Sequence, residues 1–123
     1  MDDYGKELII DLHNCNPAKF TRKSIRNYFK EICNLINMER DKLCWWDDLH
    51  TAEEEKETEP HLVGTSAVQF IKTSNITIHT LDKLGKVFIN IFSCKNFKEE
   101  IVIQFSCEWF AGRVVNSKVI RRI

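Results

Sequence analysis

The order of apolar and polar residues along this chain changes period several times, and each change predicts an element. The apolar run Leu8-Ile9-Ile10-Asp11-Leu12, preceded by Gly5 and closed by the turn-forming residues 14–17, predicts a first strand. Asn16 followed by Pro17 is a good N-cap and first helical position. From there Phe20, Ile25, Tyr28, Phe29, Ile32 and Ile36 recur at helical spacing, which predicts an amphipathic helix over 17–37 lying on a sheet. Residues 38–61 hold no sustained period. Strand-like runs return near 63–71, 75–80 and 86–93, with 81–85 as the turn between the last two. Asn96 and Glu99 have capping-box spacing, and Phe97, Ile101, Phe105 and Trp109 mark one face of a second helix that stops at Gly112. Residues 114–120 close the chain as a strand. The order β-α-β-β-β-α-β predicts an α+β fold, a two-layer α/β sandwich whose mainly antiparallel sheet carries both helices on one face.

Length and composition narrow the setting. A chain of 123 residues supports one core and therefore one domain, and 43% hydrophobic with 29% charged residues is a globular balance. The formal net charge is zero, so nothing pulls the chain toward nucleic acid or an anionic membrane, and a small-molecule substrate is the expected partner. No apolar run approaches the roughly 20 residues that span a bilayer, and Met1-Asp2-Asp3-Tyr4 does not open a signal peptide, so a cytoplasmic protein is expected. Cys15, Cys33, Cys44, Cys94 and Cys107 are odd in number and widely spaced. Like His13, His50, His61 and His79, they show no metal-ligand spacing, so neither a disulfide framework nor a metal site is expected. The acidic run Glu53-Glu54-Glu55-Lys56-Glu57 reads as a solvated loop or a short exposed helix. The neighbouring Trp45 and Trp46, beside Asp47 and Asp48, suit a core edge or a pocket wall.

The stretch from Val63 to Cys94 concentrates the reactive side chains. Ser66, Ser74, His79 and Cys94 lie among Val, Ile and Phe in three successive strand-like runs. Taken singly, each also fits a quiet place in a core. Taken together, the motifs Gly64-Thr65-Ser66, Thr73-Ser74-Asn75, Ile76-Thr77-Ile78-His79-Thr80 and Asn90-Ile91-Phe92-Ser93-Cys94 resemble, in residue type and spacing, the prokaryotic S-adenosylmethionine decarboxylase proenzymes. Asp11 and Cys15 match an acidic residue and a cysteine in the family's opening strand.

That resemblance implies a pyruvoyl-dependent decarboxylase of polyamine and spermidine biosynthesis. It would be made as a zymogen that cuts itself between Thr73 and Ser74 into residues 1–73 and 74–123. The cofactor it implies is a pyruvoyl group derived from Ser74, which forms a Schiff base with the substrate amine. By the same resemblance, Ser66 hydrogen-bonds the oxyanion formed during cleavage and His79 takes the Cα proton of Ser74. Cys94 returns a proton to the substrate after carbon dioxide leaves, and the assembly is a homo-oligomer. A strand edge at 63–71 or 114–120 could serve as its interface.

Three positions depart from the family pattern: Thr73 stands where it has Glu, Asn75 where it has His, and Lys83 where it has the glutamate that binds the ribose diol of S-adenosylmethionine. An ammonium has no acceptor with which to copy that carboxylate. The alternatives are therefore the same chemistry on arginine or ornithine, with Asp11, Asp47 and Asp48 as candidate partners for the substrate's cation, and an uncleaved homologue acting as a binding or regulatory subunit.

Overall fold

The computed structural model describes residues 3–123; Met1 and Asp2, part of the chain start read above, lie outside them. Among the described residues there are six strands: β1 (Gly5–His13), β2 (Arg40–Trp46), β3 (Gly64–Ile71), β4 (Ser74–Leu81), β5 (Lys86–Ser93) and β6 (Arg113–Arg122). They form one sheet in the order β2-β3-β4-β5-β1-β6, and every neighbouring pair is antiparallel. Two helices, α1 (Arg22–Leu35) and α2 (Glu99–Trp109), cover one face. The two-layer α+β sandwich expected from the sequence is thus present, with the antiparallel arrangement complete. Among the described residues no helix is long and apolar enough to cross a membrane.

Strand alternation sorts the two faces of the sheet. Leu8, Ile10 and Leu12 of β1, Ile76 and Ile78 of β4, and Val87, Ile89 and Ile91 of β5 all point under the helices and are fully buried. From above, α1 presents Ile25, Tyr28, Phe29, Ile32 and Cys33, the spacing of a single helical stripe. Each such large apolar side chain contributes about 1.5–3 kcal/mol by leaving water. Tyr28 links the helices: its hydroxyl shares a 2.7 Å hydrogen bond with Ser106 of α2, and its ring stacks on Phe105. Among the described residues no helix covers the opposite face of the sheet.

Several expectations need correcting. The irregular region 38–61 contains β2, an edge strand whose first three residues are exposed and charged, which hides its period. Because β2 covers β3, residues 63–71 lie inside the sheet and are no free edge; β6 is. Pro17 opens only a three-residue 3-10 turn, with the Asn16 side chain accepting from the Ala18 N–H, while α1 itself starts at Arg22 under a Thr21 cap. The capping box of Asn96 and Glu99 does not form: Asn96 Oδ1 accepts from Lys6 Nζ instead, and Lys98 stands at the cap position. The buried face of α2 is Val102 and Ser106, followed by Phe110, one residue on from the predicted stripe, and Ile101 is exposed. The acidic run is indeed exposed, as a short 3-10 turn over Glu53–Glu55.

Candidate active site

The β3–β4 hairpin positions the first group. Ile71 pairs with Ser74, so Lys72 and Thr73 make a two-residue turn, and Thr73 takes φ 56°, in the left-handed region. A β-branched side chain is disfavoured there, so backbone strain sits on the residue whose carbonyl precedes Ser74. Beyond the end of β5, Cys94 meets this turn. The Cys94 N–H donates to Ser74 Oγ at 3.2 Å, and the Ser74 hydroxyl donates to Cys94 Sγ at 3.6 Å. Thr73 Oγ1 lies 3.3 Å from the same sulfur. Those hydroxyls, Thr73 first and Ser74 second, hold the exposed Cys94 thiol below the usual thiol range. Burial instead pushes Cys15 and Cys33 up to about 11. The three residues thus unite a nucleophile candidate, the carbonyl of a residue in the left-handed region and an acidified thiol beside a cleft of about 270 Å³ lined by Met38, Ser74, Cys94 and Lys95.

Two features hold Cys94 in place. A Cβ on Gly5 would collide with the Ser93 carbonyl oxygen and sit 2.8 Å from Cys94 Cα, so only glycine lets β1 begin there. Lys6, buried on the helix side of β1, donates to Asn96 Oδ1 at 3.0 Å and to the Phe97 carbonyl at 2.5 Å, and pairs with Glu99 at 3.1 Å. The sequence reading missed Lys6. Its signal was a charge in phase with Leu8, Ile10 and Leu12, where a buried partner is required.

Ser66 and His79 form a second group. They are directly paired across β3 and β4, and Ser66 Oγ and His79 Nδ1 are joined by a 2.7 Å hydrogen bond. Register continues this row over the open face through all six strands, as Trp46, Ser66, His79, Phe88, Asp11 and Asn116. The Asn116 amide donates to Asp11 Oδ2 at 3.2 Å. A cleft of about 440 Å³ opens at the end of the row, with Trp46, Glu57, His61, Ser66, His79 and Phe88 in its wall. His79 is five residues from Ser74 and faces the other side of the sheet, roughly 16 Å away along β4. Within one chain the structure brings Ser74, Thr73 and Cys94 together and Ser66 and His79 together, but it does not join the two groups.

Of the three carboxylates considered for a cationic substrate, Asp11 stays on the open-face row with, among the described residues, only the Asn116 amide, while Asp47 and Asp48 are engaged by other groups. Arg22 clamps Asp47 through two hydrogen bonds, of 2.7 and 2.9 Å, and holds its carboxyl below the usual range. Asp48 accepts from the Glu57 N–H at 2.9 Å and from the Thr51 hydroxyl at 3.3 Å. Lys83 donates to the Thr58 carbonyl at 3.1 Å. Together these contacts fasten the segment 47–59, which has little secondary structure of its own.

Comparison with known proteins identifies the family and the fold. The sequence model of a family described as S-adenosylmethionine decarboxylase matches residues 6–123. A curated relative, the S-adenosylmethionine decarboxylase proenzyme of Thermodesulfovibrio yellowstonii, is 28% identical over 120 residues, covering 96% of this chain and 80% of that protein. The crystal structure of the adenosylmethionine decarboxylase from Aquifex aeolicus superposes with a TM-score of 0.76 at 17% identity, over 99% of this chain and 92% of that one, and so shares the fold. With nearly its whole length matched, this chain belongs to the S-adenosylmethionine decarboxylase family.

Proposed function

We propose that the chain is the proenzyme of a pyruvoyl-dependent decarboxylase, one folded domain that splits between Thr73 and Ser74 into residues 1–73 and 74–123. It acts on S-adenosylmethionine in the cytoplasm, as a step of polyamine biosynthesis. The observation that carries this reading is the meeting of Thr73, Ser74 and Cys94 at one turn. Ser74 Oγ attacks the Thr73 carbonyl carbon, the amide nitrogen leaves as an amine, and an ester then joins the two residues. A base removes the Cα proton of Ser74 and the Thr73 carboxylate departs. Hydrolysis of the enamine left at residue 74 releases ammonia and leaves a pyruvoyl N-terminus.

The residues present fit that group. Residue 74 lines a cleft, and the Cys94 N–H is aimed at its side-chain oxygen. The pyruvoyl group supplies the electron sink for the pair left on the substrate carbon when carbon dioxide departs. Cys94 holds the proton that the carbon then receives. The engagement of Asp47 and Asp48 by Arg22 and by the loop backbone takes two of the three candidate partners for a basic amino acid out of play.

Cleavage also needs an oxyanion donor and a base for the Cα proton, and Ser66 and His79 fill those roles from a second copy of the chain. The helix-free face exposes Ile9, Val68, Phe70, Phe88, Phe92 and Ile120 in whole or part. Two such faces stacked about a two-fold axis running across the strands would set each β4 over its copy head to tail. The His79 end of one would then lie over the Ser74 end of the other.

Mass spectrometry under denaturing conditions tests the reading. Two fragments divided before Ser74 are expected, the second lighter than its encoded mass by the equivalent of one ammonia, the net change from an N-terminal serine to a pyruvoyl group. A single intact chain would overturn it.

A further inference from the structure

We infer that Glu57 selects the substrate in the cleft beside Ser66 and His79 by accepting hydrogen bonds from a vicinal diol, and that Lys83 is the positioning residue that holds Glu57 there. The inference deepens the proposed function by naming the group that recognises a ribose, and it rests on that reading of the cleft.

Glu57 is the one carboxylate among the residues lining this cleft; the others are Trp46, Phe88, the imidazoles of His61 and His79, and small or aliphatic side chains. Among the described residues it takes part in no ion pair, so its oxygens are free to accept. Its backbone is fixed from both sides. The Glu57 N–H is bound by Asp48 Oδ2 at 2.9 Å, and the carbonyl of the next residue, Thr58, receives Lys83 Nζ at 3.1 Å. Asp48 follows Asp47, which is clamped by Arg22. An otherwise irregular segment is thereby tied at three points around one acidic side chain.

A carboxylate with two free oxygens accepts from two adjacent hydroxyls at once, which a lone imidazole or serine does not. The indole of Trp46 and the ring of Phe88 offer apolar surface on the same cleft, suited to a flat heterocycle. A ring joined to a free vicinal diol, a ribonucleoside, matches both halves. Lys83 spends its charge on a backbone carbonyl rather than on Glu57, so it fixes the position of the carboxylate without neutralising it.

The test uses the Ser74→Ala chain, which cannot split, and titrates it with 5′-methylthioadenosine, with its 2′-deoxy counterpart and with arginine, read by calorimetry. The diol-bearing nucleoside should bind at least tenfold more tightly than the deoxy form, and arginine should not compete. Glu57→Gln should erase that ratio. Lys83→Met should reduce it and Lys83→Arg restore it, a pattern that loss of general stability would not produce. Equal binding of the two nucleosides, no binding of either, a ratio untouched by Glu57→Gln, or binding of arginine that depends on Glu57 would each overturn the inference. Splitting is measured separately on the unsubstituted chain. An intact chain that still discriminates the diol would sink the pyruvoyl reading and leave this one standing.

Discussion

Ser74 and Cys94 exchange hydrogen bonds in both directions: the serine oxygen accepts from the cysteine amide at 3.2 Å, and the serine hydroxyl points to the sulfur at 3.6 Å. In the proposed cleavage the first residue would be consumed and the second would survive it. Ser74→Ala should therefore remain a single chain on a denaturing gel. Cys94→Ala should still split, yet release carbon dioxide from S-adenosylmethionine at about 10²-fold lower kcat or less. A cysteine variant turning over at the wild-type rate would remove the proton-donor role.

The thiol's environment gives a pH dependence. Donors from Thr73 and Ser74 favour the thiolate, so its pKa in the unsplit chain lies below the ordinary thiol value. Alkylation by iodoacetamide follows the thiolate fraction, so Cys94 should react at lower pH than a free cysteine. Cys15 and Cys33, raised to about 11, should stay inert near neutrality. Thr73→Val removes the larger contribution and should move the Cys94 curve to higher pH, as read by peptide mass mapping.

Strain at Thr73 predicts a kinetic effect. A left-handed β-branched residue costs about 1 kcal/mol or more, and glycine at the same φ does not. If attack on the Thr73 carbonyl releases that strain, Thr73→Gly should slow self-cleavage by about fivefold while raising the thermal midpoint of the uncut chain. A time course of fragment appearance checks the first and a melt of the Ser74→Ala background the second.

Lys6 ties the segment after Cys94 to β1 through Asn96, Phe97 and Glu99, with only 4% of its side chain accessible. Lys6→Met should cost about 2–3 kcal/mol, because a carbonyl and a carboxylate lose a buried donor. It should also lower kcat more than it raises KM. Urea denaturation and steady-state kinetics separate the two.

If a second copy completes the site, Ser74→Ala and His79→Ala chains should each fail to split alone. Expressed together, their mixed dimers contain one site with every required group. Fragments should then appear from the His79→Ala chain alone, identified by mass. Absence of fragments in the mixture would place the base within the same chain.

Much of this was legible in the sequence, for reasons that also explain the gaps. The strands β4 and β5 bury every second residue, and such runs announce themselves. Edge strand β2 starts with three exposed charged residues, Arg40-Asp41-Lys42, so no alternation marks it. The phase of α2 slipped because its buried centre is Ser106, a polar residue made tolerable by hydrogen bonds with Tyr28 and the Val102 carbonyl, while the apolar Ile101 faces water. In the site, parity alone separated His79 from Ser74, since an odd offset along a strand reverses the face. The approach of Glu57 to that cleft depends on Lys83 and Asp48 reaching across irregular chain, and no period encodes such ties.

The strand order has a consequence for the mature molecule. A cut before Ser74 would assign β1, β2 and β3 to one piece and β4, β5 and β6 to the other, yet β1 lies between β5 and β6. The two polypeptides would be interlocked like the fingers of clasped hands, joined along three ladders of backbone hydrogen bonds. A nick would create two new chain ends without giving the halves any route apart short of unfolding.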